Sequence, residues 1–299
     1  MSGAVSRLLH RVPDAALGPL LIAPLVLILG AVVFLPLVAA LALSLFEVNT
    51  LTLDAAWAGL GNFARLFGDE GRFWSALLVT LVWTGGTLAL QLLVGVGLAL
   101  LLNEDMRFRS LARSLVLFPY FVSTVVAVLV WRWLFNDFFG LANQLLIGAG
   151  LIAEPVDWLG TMPNAMLSLI VVGAWKFFPF VVITVLARLQ TIPPQLYEAA
   201  RLDGAGAWAR FRDVTLPQIA DVLAITVLLR AVWDFKEFDL VYLLTGGGPV
   251  NATRTLPLIV YQEAFGLNRI GMASAYAVAM MLVMSLFFLV YRRVSKGQG

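Results

Sequence analysis

The sequence contains no cysteine and a single histidine, His10, among its 299 residues. Without cysteine there are no disulfides and no thiolate metal ligands. One histidine leaves almost no material for a histidine-based metal site or catalytic triad. The chain also lacks the G-x-x-x-x-G-K-[ST] pattern, because none of its lysines follows a glycine loop. It is therefore not expected to bind a metal, or to hold ATP phosphates in the P-loop manner.

Charged residues are also scarce, at 13% of the chain, whereas hydrophobic residues make up 61% and the mean hydropathy is +0.92. A soluble domain carries about 25% charged residues. The composition therefore predicts an integral membrane protein with short loops. The basic residues are scattered over these loops, and the charge bias of membrane proteins explains them without nucleic acid.

Six apolar segments are long enough to cross a bilayer, whose hydrocarbon core of roughly 30 Å requires about 20 helical residues. We therefore predict an all-α fold, a polytopic membrane protein with six transmembrane helices in a single domain over residues 1–299. The predicted spans are Pro19–Leu45, Phe73–Leu102, Ser114–Leu134, Ala165–Ala187, Gln218–Leu243 and Gly271–Tyr291.

Lysine and arginine in the loops predict the orientation of the chain, because they are enriched on the cytoplasmic side. With the N-terminus inside, 12 of the 20 Lys and Arg residues fall in inner segments, four in outer loops and four within spans. This bias predicts that both termini and residues 190–217 are cytoplasmic.

Residues 190–217, which we call the elbow, form a polar interruption in the apolar chain. Pro193 is the first of two prolines that end the preceding span and open a short helix over Gln195–Leu202. Gly204 breaks that helix, and a second short helix is predicted over Ala207–Arg212. The polarity of the elbow indicates contact with water or protein. The alternative is an ordinary connector between two spans.

The elbow contains the pattern Glu-Ala-Ala, three residues, Gly, nine residues and Val-Thr-Leu-Pro. This pattern resembles the cytoplasmic signature of permease subunits of ATP-binding-cassette importers, and in detail their carbohydrate-uptake branch. The resemblance implies a coupling-helix loop that docks into a separate ATPase subunit. The residues assigned to it are Glu198, Ala199, Ala200, Asp203, Gly204, Ala205, Trp208, Leu216 and Pro217.

The fifth predicted span carries several charges at membrane depth, where each costs about 2.5–3.5 kcal/mol and rarely faces lipid. At 100° per residue, one helical face holds Arg230, Trp233, Asp234 and Glu237. A sugar site needs polar partners for hydroxyl groups and a flat aromatic face for the C–H side of the ring, and this face offers both. Alternatively, the charges form ion pairs that hold helices together. Both interpretations stay open for Asp234 and Glu237.

Three other charges belong to the same region. Lys236 and Asp239 share a second face of the fifth span, three residues apart, and predict a structural ion pair. Lys176 in the fourth span is a candidate either for the cavity or for a counter-charge to the fifth span.

The resemblance covers most of the chain and is strongest from Trp175 to Phe265. It implies a permease subunit of a bacterial inner-membrane importer that moves a sugar or related polyol into the cytoplasm by alternating access. It also implies three kinds of partner: a second homologous permease, two ATP-binding-cassette ATPase subunits and an extracytoplasmic substrate-binding protein. ATP and Mg²⁺ then belong to the ATPase, and this chain is neither an enzyme nor the holder of a cofactor.

Two other functions stay open from the residues alone. An ion-gradient-driven secondary transporter could use Asp234 and Glu237 as proton or cation carriers, although such folds usually show inverted repeats and more spans. A membrane scaffold without a transport path would use the same charges only to join helices.

Overall fold

The computed structural model describes residues 14–51, 54–68 and 72–296, and most of these residues are helical. This confirms the predicted all-α membrane fold. The helices are α1 (Asp14–Leu43), α2 (Gly61–Gly68), α3 (Arg72–Asn103), α4 (Arg109–Phe121), α5 (Thr124–Leu134), α6 (Leu141–Gly148), α7 (Asn164–Leu189), α8 (Pro194–Leu202), α9 (Ala207–Arg210), α10 (Leu216–Phe235), α11 (Asp239–Leu244), α12 (Leu256–Tyr261) and α13 (Ile270–Lys296). Two π-helical segments, Phe211–Thr215 and Gln262–Gly266, precede α10 and follow α12.

Within the described residues, five helical segments are long and apolar enough to cross a membrane, and the α4–α5 pair makes a sixth if it counts as one span. The five are Leu21–Leu43, Arg72–Asn103, Asn164–Leu189, Ala207–Phe235 and Ile270–Arg293. The third predicted span, Ser114–Leu134, is not one helix: α4 and α5 meet at 96°. The backbone of Val122 and Ser123 is extended between them, with ψ angles of 135° and 139°.

The centre of the bundle is the interface between α3 and α7. A Cβ at Gly173 of α7 would lie 2.4 Å from the ring of Trp83, so only glycine lets this ring pack against the helix at that point. Trp83 is fully buried, and its indole N–H donates a 2.9 Å hydrogen bond to the backbone carbonyl of Asp234. The core of the bundle therefore fixes the end of α10.

The N-terminal part of the described chain lies at the edge of the bundle. Most apolar side chains of α1 are exposed, as expected for a helix that faces lipid. Strands β1 (Phe46–Asn49) and β2 (Asp54–Trp57) form an antiparallel hairpin after it. The buried Asn62 of α2 donates hydrogen bonds to the carbonyl oxygens of Ser44 (2.9 Å) and Phe46 (2.8 Å), which joins α2 to the end of α1 and to the hairpin.

The elbow contains two short helices, α8 and α9, separated by Gly204. The φ angle of Gly204 is +78°, in the left-handed region that favours glycine. The second helix does not end at Arg212 as predicted, because it continues through the π-helical segment into α10. The wider π turn accommodates Pro217, whose ring in a regular α-helix would clash with the carbonyl of Asp213. The elbow is thus continuous with a spanning helix.

Candidate functional site

Helix α10 is interrupted where the fifth span was predicted to continue. It ends at Phe235, and helical structure resumes at Asp239, so the predicted single span Gln218–Leu243 was wrong at this point. The Glu237 carboxylate accepts a 3.1 Å hydrogen bond from the backbone N–H of Leu240 and so stabilises the first turn of α11. The interruption turns the side chains that follow α10 toward a cavity.

This cavity has a volume of about 390 Å³, within the range of small-molecule sites. Its walls come from α4, α7, α10 and the residues that follow α10. The lining residues are Tyr120, Phe177, Arg230, Trp233, Lys236, Glu237, Phe238 and Asp239. Aromatic rings and charged groups therefore face the same space. Of the predicted cavity residues, Trp233, Glu237 and Arg230 line it.

The ring of Trp233 is held from two sides. It packs edge-on against Phe180, with ring centroids 5.0 Å apart. The guanidinium carbon of Arg230 lies 5.5 Å from the centroid of the Trp233 ring and 4.5 Å from that of Phe177. These contacts fit cation–π interactions, which are strongest for desolvated groups. The aromatic wall of the cavity is therefore held in place before any ligand enters.

Asp234 does not line the cavity; it forms a buried ion pair with Arg230 one helical turn away. Arg230 Nε also donates to Gln91 Oε1 at 2.9 Å, and Gln91 Nε2 lies 3.4 Å from Asp234 Oδ1. Asp234 is 0% exposed and Arg230 is 3% exposed. The structure thus favours the ion-pair interpretation for Asp234, whereas Glu237 faces the cavity.

The predicted ion pair between Lys236 and Asp239 does not form: no salt bridge joins them in the described part of the chain. The prediction assumed a continuous helix, but α10 has already ended at Phe235, so residues three apart no longer share a face. Both side chains are exposed and line the cavity. Lys236 and Asp239, predicted as a structural pair, therefore line the cavity, and the buried ion pair joins Arg230 to Asp234 instead.

Lys176 does not line the cavity, so the first of its two predicted roles is not the one the structure shows. Its buried ammonium donates hydrogen bonds to the carbonyl oxygens of Pro119 (3.0 Å), Tyr120 (3.1 Å) and Val122. These carbonyls lie at the C-terminal end of α4 and in the bend, where they have no intrahelical partner. Lys176 thus stabilises the α4–α5 bend.

At the other end of α10, hydrogen bonds hold the elbow in place. Arg188 of α7 donates to the carbonyl of Gln218 of α10 at 2.7 Å, which joins the two helices that flank the elbow, and Arg210 donates to the carbonyl of Ala205 within it at 3.0 Å. In contrast, Leu202 is 90% exposed and Trp208 is 71% exposed. The same is true of most residues assigned to the elbow by sequence: Glu198, Ala199, Asp203, Gly204, Leu216 and Pro217 are exposed, while Ala200 and Ala205 are half-buried.

Comparison with known proteins decides the family. The family described as binding-protein-dependent transport system inner membrane component matches residues 91–298. The trehalose/maltose transport system permease protein MalF of Thermococcus litoralis is 34% identical over 291 residues, which cover 97% of each chain. The chain belongs to this permease family. Its carbohydrate-transport relatives confirm the predicted resemblance to sugar permeases of ATP-binding-cassette transporters.

Solved structures of permeases share the fold. A bacterial ATP-binding-cassette transporter that imports the acidic polysaccharide alginate matches with a TM-score of 0.81 and 24% identity, covering 98% of both chains. A second structure, of an alginate transporter in complex with an alginate pentasaccharide-bound periplasmic protein, gives a TM-score of 0.80 at 24% identity over 94% of both chains. At this identity the match concerns the fold alone.

Sequence reasoning missed four residues that build the site of this permease. Tyr120, Phe177 and Phe238 line the cavity, and Gln91 completes the buried network of Arg230. Tyr120 and Phe177 gave no signal, because apolar spans contain many aromatic residues. Gln91 did give a signal, because it is the only side-chain amide between the two ends of α3. Polar groups in a span usually face the inside of the helix bundle.

Proposed function

We propose that this permease subunit moves a sugar or a related polyol into the cytoplasm, driven by ATP hydrolysis in a separate ATPase subunit. The observation that carries the proposal is the cavity at the end of α10. It combines the ring of Trp233 with the charged groups of Lys236, Glu237 and Asp239. The C–H face of a sugar ring packs on an aromatic ring, and its hydroxyl groups exchange hydrogen bonds with charged side chains.

The elbow is the proposed contact with the ATPase. Its exposed Leu202 and Trp208 are the kind of apolar groups that dock into a partner's cleft, and the exposed Glu198 lies one helical turn before Leu202 on α8. Helix α10 runs from the elbow to the cavity over 20 residues, about 30 Å at 1.5 Å per residue. A displacement of the elbow is thus transmitted by one continuous helix to Trp233.

The proposed assembly contains a second homologous permease, two ATP-binding-cassette ATPases and an extracytoplasmic substrate-binding protein, in the inner membrane. The family description and the alginate transporter with its bound periplasmic protein support two kinds of partner, a substrate-binding protein and an ATP-binding-cassette ATPase. The excess of Lys and Arg in the inner segments supports cytoplasmic termini. Binding of ATP to the ATPase would favour the outward-open state of the bundle, and release of the nucleotide from the ATPase would favour the inward-open state.

Uptake of labelled sugars into proteoliposomes tests this proposal. The complete transporter is reconstituted with its binding protein, and ATP is enclosed in the compartment that the elbow faces. We expect uptake that requires ATP and persists when ionophores collapse ion gradients. Uptake driven by a gradient, without any ATPase, would instead identify a secondary transporter, and no uptake of any sugar or polyol with a fully assembled complex would favour a scaffold.

The Trp233→Ala variant tests the cavity itself. Loss of the aromatic face is expected to raise KM about tenfold, the factor that corresponds to roughly 1.4 kcal/mol. Trp133→Ala is the matched control, because Trp133 is 54% exposed on α5 and does not line the cavity. Equal KM values for the two variants would contradict the assignment of the cavity.

A further inference from the structure

A second cavity, of about 180 Å³, lies between α4 and α7 at the end of the bundle near the elbow. Its lining is apolar except at one end and includes Leu117 of α4 with Val182 and Leu186 of α7. Gln190, just after α7, and Arg113, in the second turn of α4, supply its polar groups. The cavity is therefore an apolar cleft with a cation at one end.

Arg113 differs from the other arginines at this end of the bundle. Its Nε and Nη2 atoms are buried and have no hydrogen-bond partner in the described part of the chain. In contrast, Arg109 donates to the carbonyl of Leu102 at 2.9 Å, and Arg188 donates to that of Gln218 at 2.7 Å. Arg113 as a whole is half-buried, but these two nitrogens are buried without an acceptor, which is unfavourable, and an anionic ligand with two acceptor oxygens would satisfy both.

The outer surface of α4 indicates where the anion comes from. Leu111, Leu115 and Phe118 are 58%, 65% and 61% exposed, as expected for side chains that face lipid. Ile183, which lines the cleft, is 44% exposed, so the cleft opens on the lateral surface of the bundle. A molecule that enters there carries an apolar chain. Basic pockets between spans near a membrane surface are suited to anionic lipid headgroups.

We infer that this cleft binds an anionic phospholipid. The phosphate accepts hydrogen bonds from Nε and Nη2 of Arg113, which form the fork that matches two phosphate oxygens. The first part of one acyl chain lies along Leu117, Val182 and Leu186. This site is separate from the cavity at Trp233 and does not depend on the proposed transport function. The bound lipid would contact α4 and α7, the same two helices that the hydrogen bonds of Lys176 join.

Native mass spectrometry of the full chain in detergent, titrated with phosphatidylglycerol, tests the site. Arg113→Gln is expected to weaken the binding of phosphatidylglycerol at least fivefold, about the contribution of one basic residue at a membrane surface. Arg107→Gln is the matched control, because Arg107 is exposed and lies six residues away near the same end of α4. This control should bind as the wild type does.

Three results would overturn the inference: equal binding by Arg113→Gln and wild type, no preference of the wild type for phosphatidylglycerol over phosphatidylcholine, or displacement by inorganic phosphate at similar concentrations. The last would identify a free-anion site. If Arg113→Gln does not fold, Arg113→Lys is measured in its place. The wild type is also labelled with a phosphatidylglycerol that carries a photoreactive acyl chain. In the wild type the label must attach to α4 or α7, and attachment elsewhere would equally exclude the site.

Discussion

Replacing Lys176 by methionine tests whether the bend between α4 and α5 depends on a side chain from α7. The substitution keeps the length of the side chain but removes the ammonium that donates to Pro119, Tyr120 and Val122. Each buried carbonyl left without a donor costs about 1–3 kcal/mol. Three such losses are offset in part, because the variant no longer buries a charge. We expect a net loss of about 3 kcal/mol.

A loss of this size is measurable in the purified protein. At about 2–4 °C per kcal/mol for a domain of 150–250 residues, Lys176→Met should lower Tm by roughly 6–12 °C. The geometry of the bend can be followed separately, because the chain has no cysteine. Spin labels on cysteines introduced at the exposed positions Leu115 and Val130 report the distance between α4 and α5. The variant should broaden that distance distribution.

Two further variants separate this effect from a general loss of charge. Lys176→Arg keeps donors near the bend and should restore part of the stability and a narrower distance distribution. Arg132→Met removes an exposed cation of α5 whose only hydrogen bond in the described residues is a 3.4 Å contact with the Leu243 carbonyl, so it should change neither quantity much. An unchanged Tm and an unchanged distance distribution for Lys176→Met would refute the reasoning, since the carbonyls would then find other donors.

The remaining predictions concern α10 and the elbow. Arg230→Met and Asp234→Leu should each destabilise the protein by about 3–5 kcal/mol, because each leaves one buried charge unpaired, whereas the double variant should be milder than either. Thermal unfolding of the three variants checks this, and additive losses would contradict a direct pair. Gly204→Ala should strain the left-handed turn by roughly 1–2 kcal/mol and reduce the amount of ATPase that co-purifies. Gly206→Ala is its control, because φ at Gly206 is −67°, and equal losses in both variants would argue against a role of the turn.

The limits of the spans were close to the prediction wherever a helix is continuous. The segments predicted as Phe73–Leu102 and Ala165–Ala187 are helical over Arg72–Asn103 and Asn164–Leu189. These limits follow from composition, because an apolar run bounded by polar residues leaves little choice in a bilayer. The 96° bend after Phe121 lies in an equally apolar segment, and composition alone gave no sign of it.

The charges of the fifth span show which contacts helical periodicity predicts and which it does not. Helical periodicity placed Arg230 and Asp234 on one face correctly, and they are four residues apart in a continuous helix. The same rule failed for Lys236 and Asp239, because α10 ends at Phe235, before both of them, and the next helix begins only at Asp239. Periodicity predicts a shared face only while the helix persists, and the point at which α10 stops depends on contacts from elsewhere. One of these is the hydrogen bond from Trp83 to the Asp234 carbonyl.

The sequence by itself determined that this protein spans a membrane, where most of its spans lie, and that a polar elbow with Gly204 interrupts them. It also determined the family, because the elbow pattern is local in the chain. Only the tertiary structure decided which charge meets which partner. Lys176 reaches carbonyls more than 50 residues away, and Gln91 meets Arg230 from another helix. Such pairs depend on how helices cross, which no local spacing encodes, because a buried charge is satisfied by whichever acceptor the packing brings within hydrogen-bond distance.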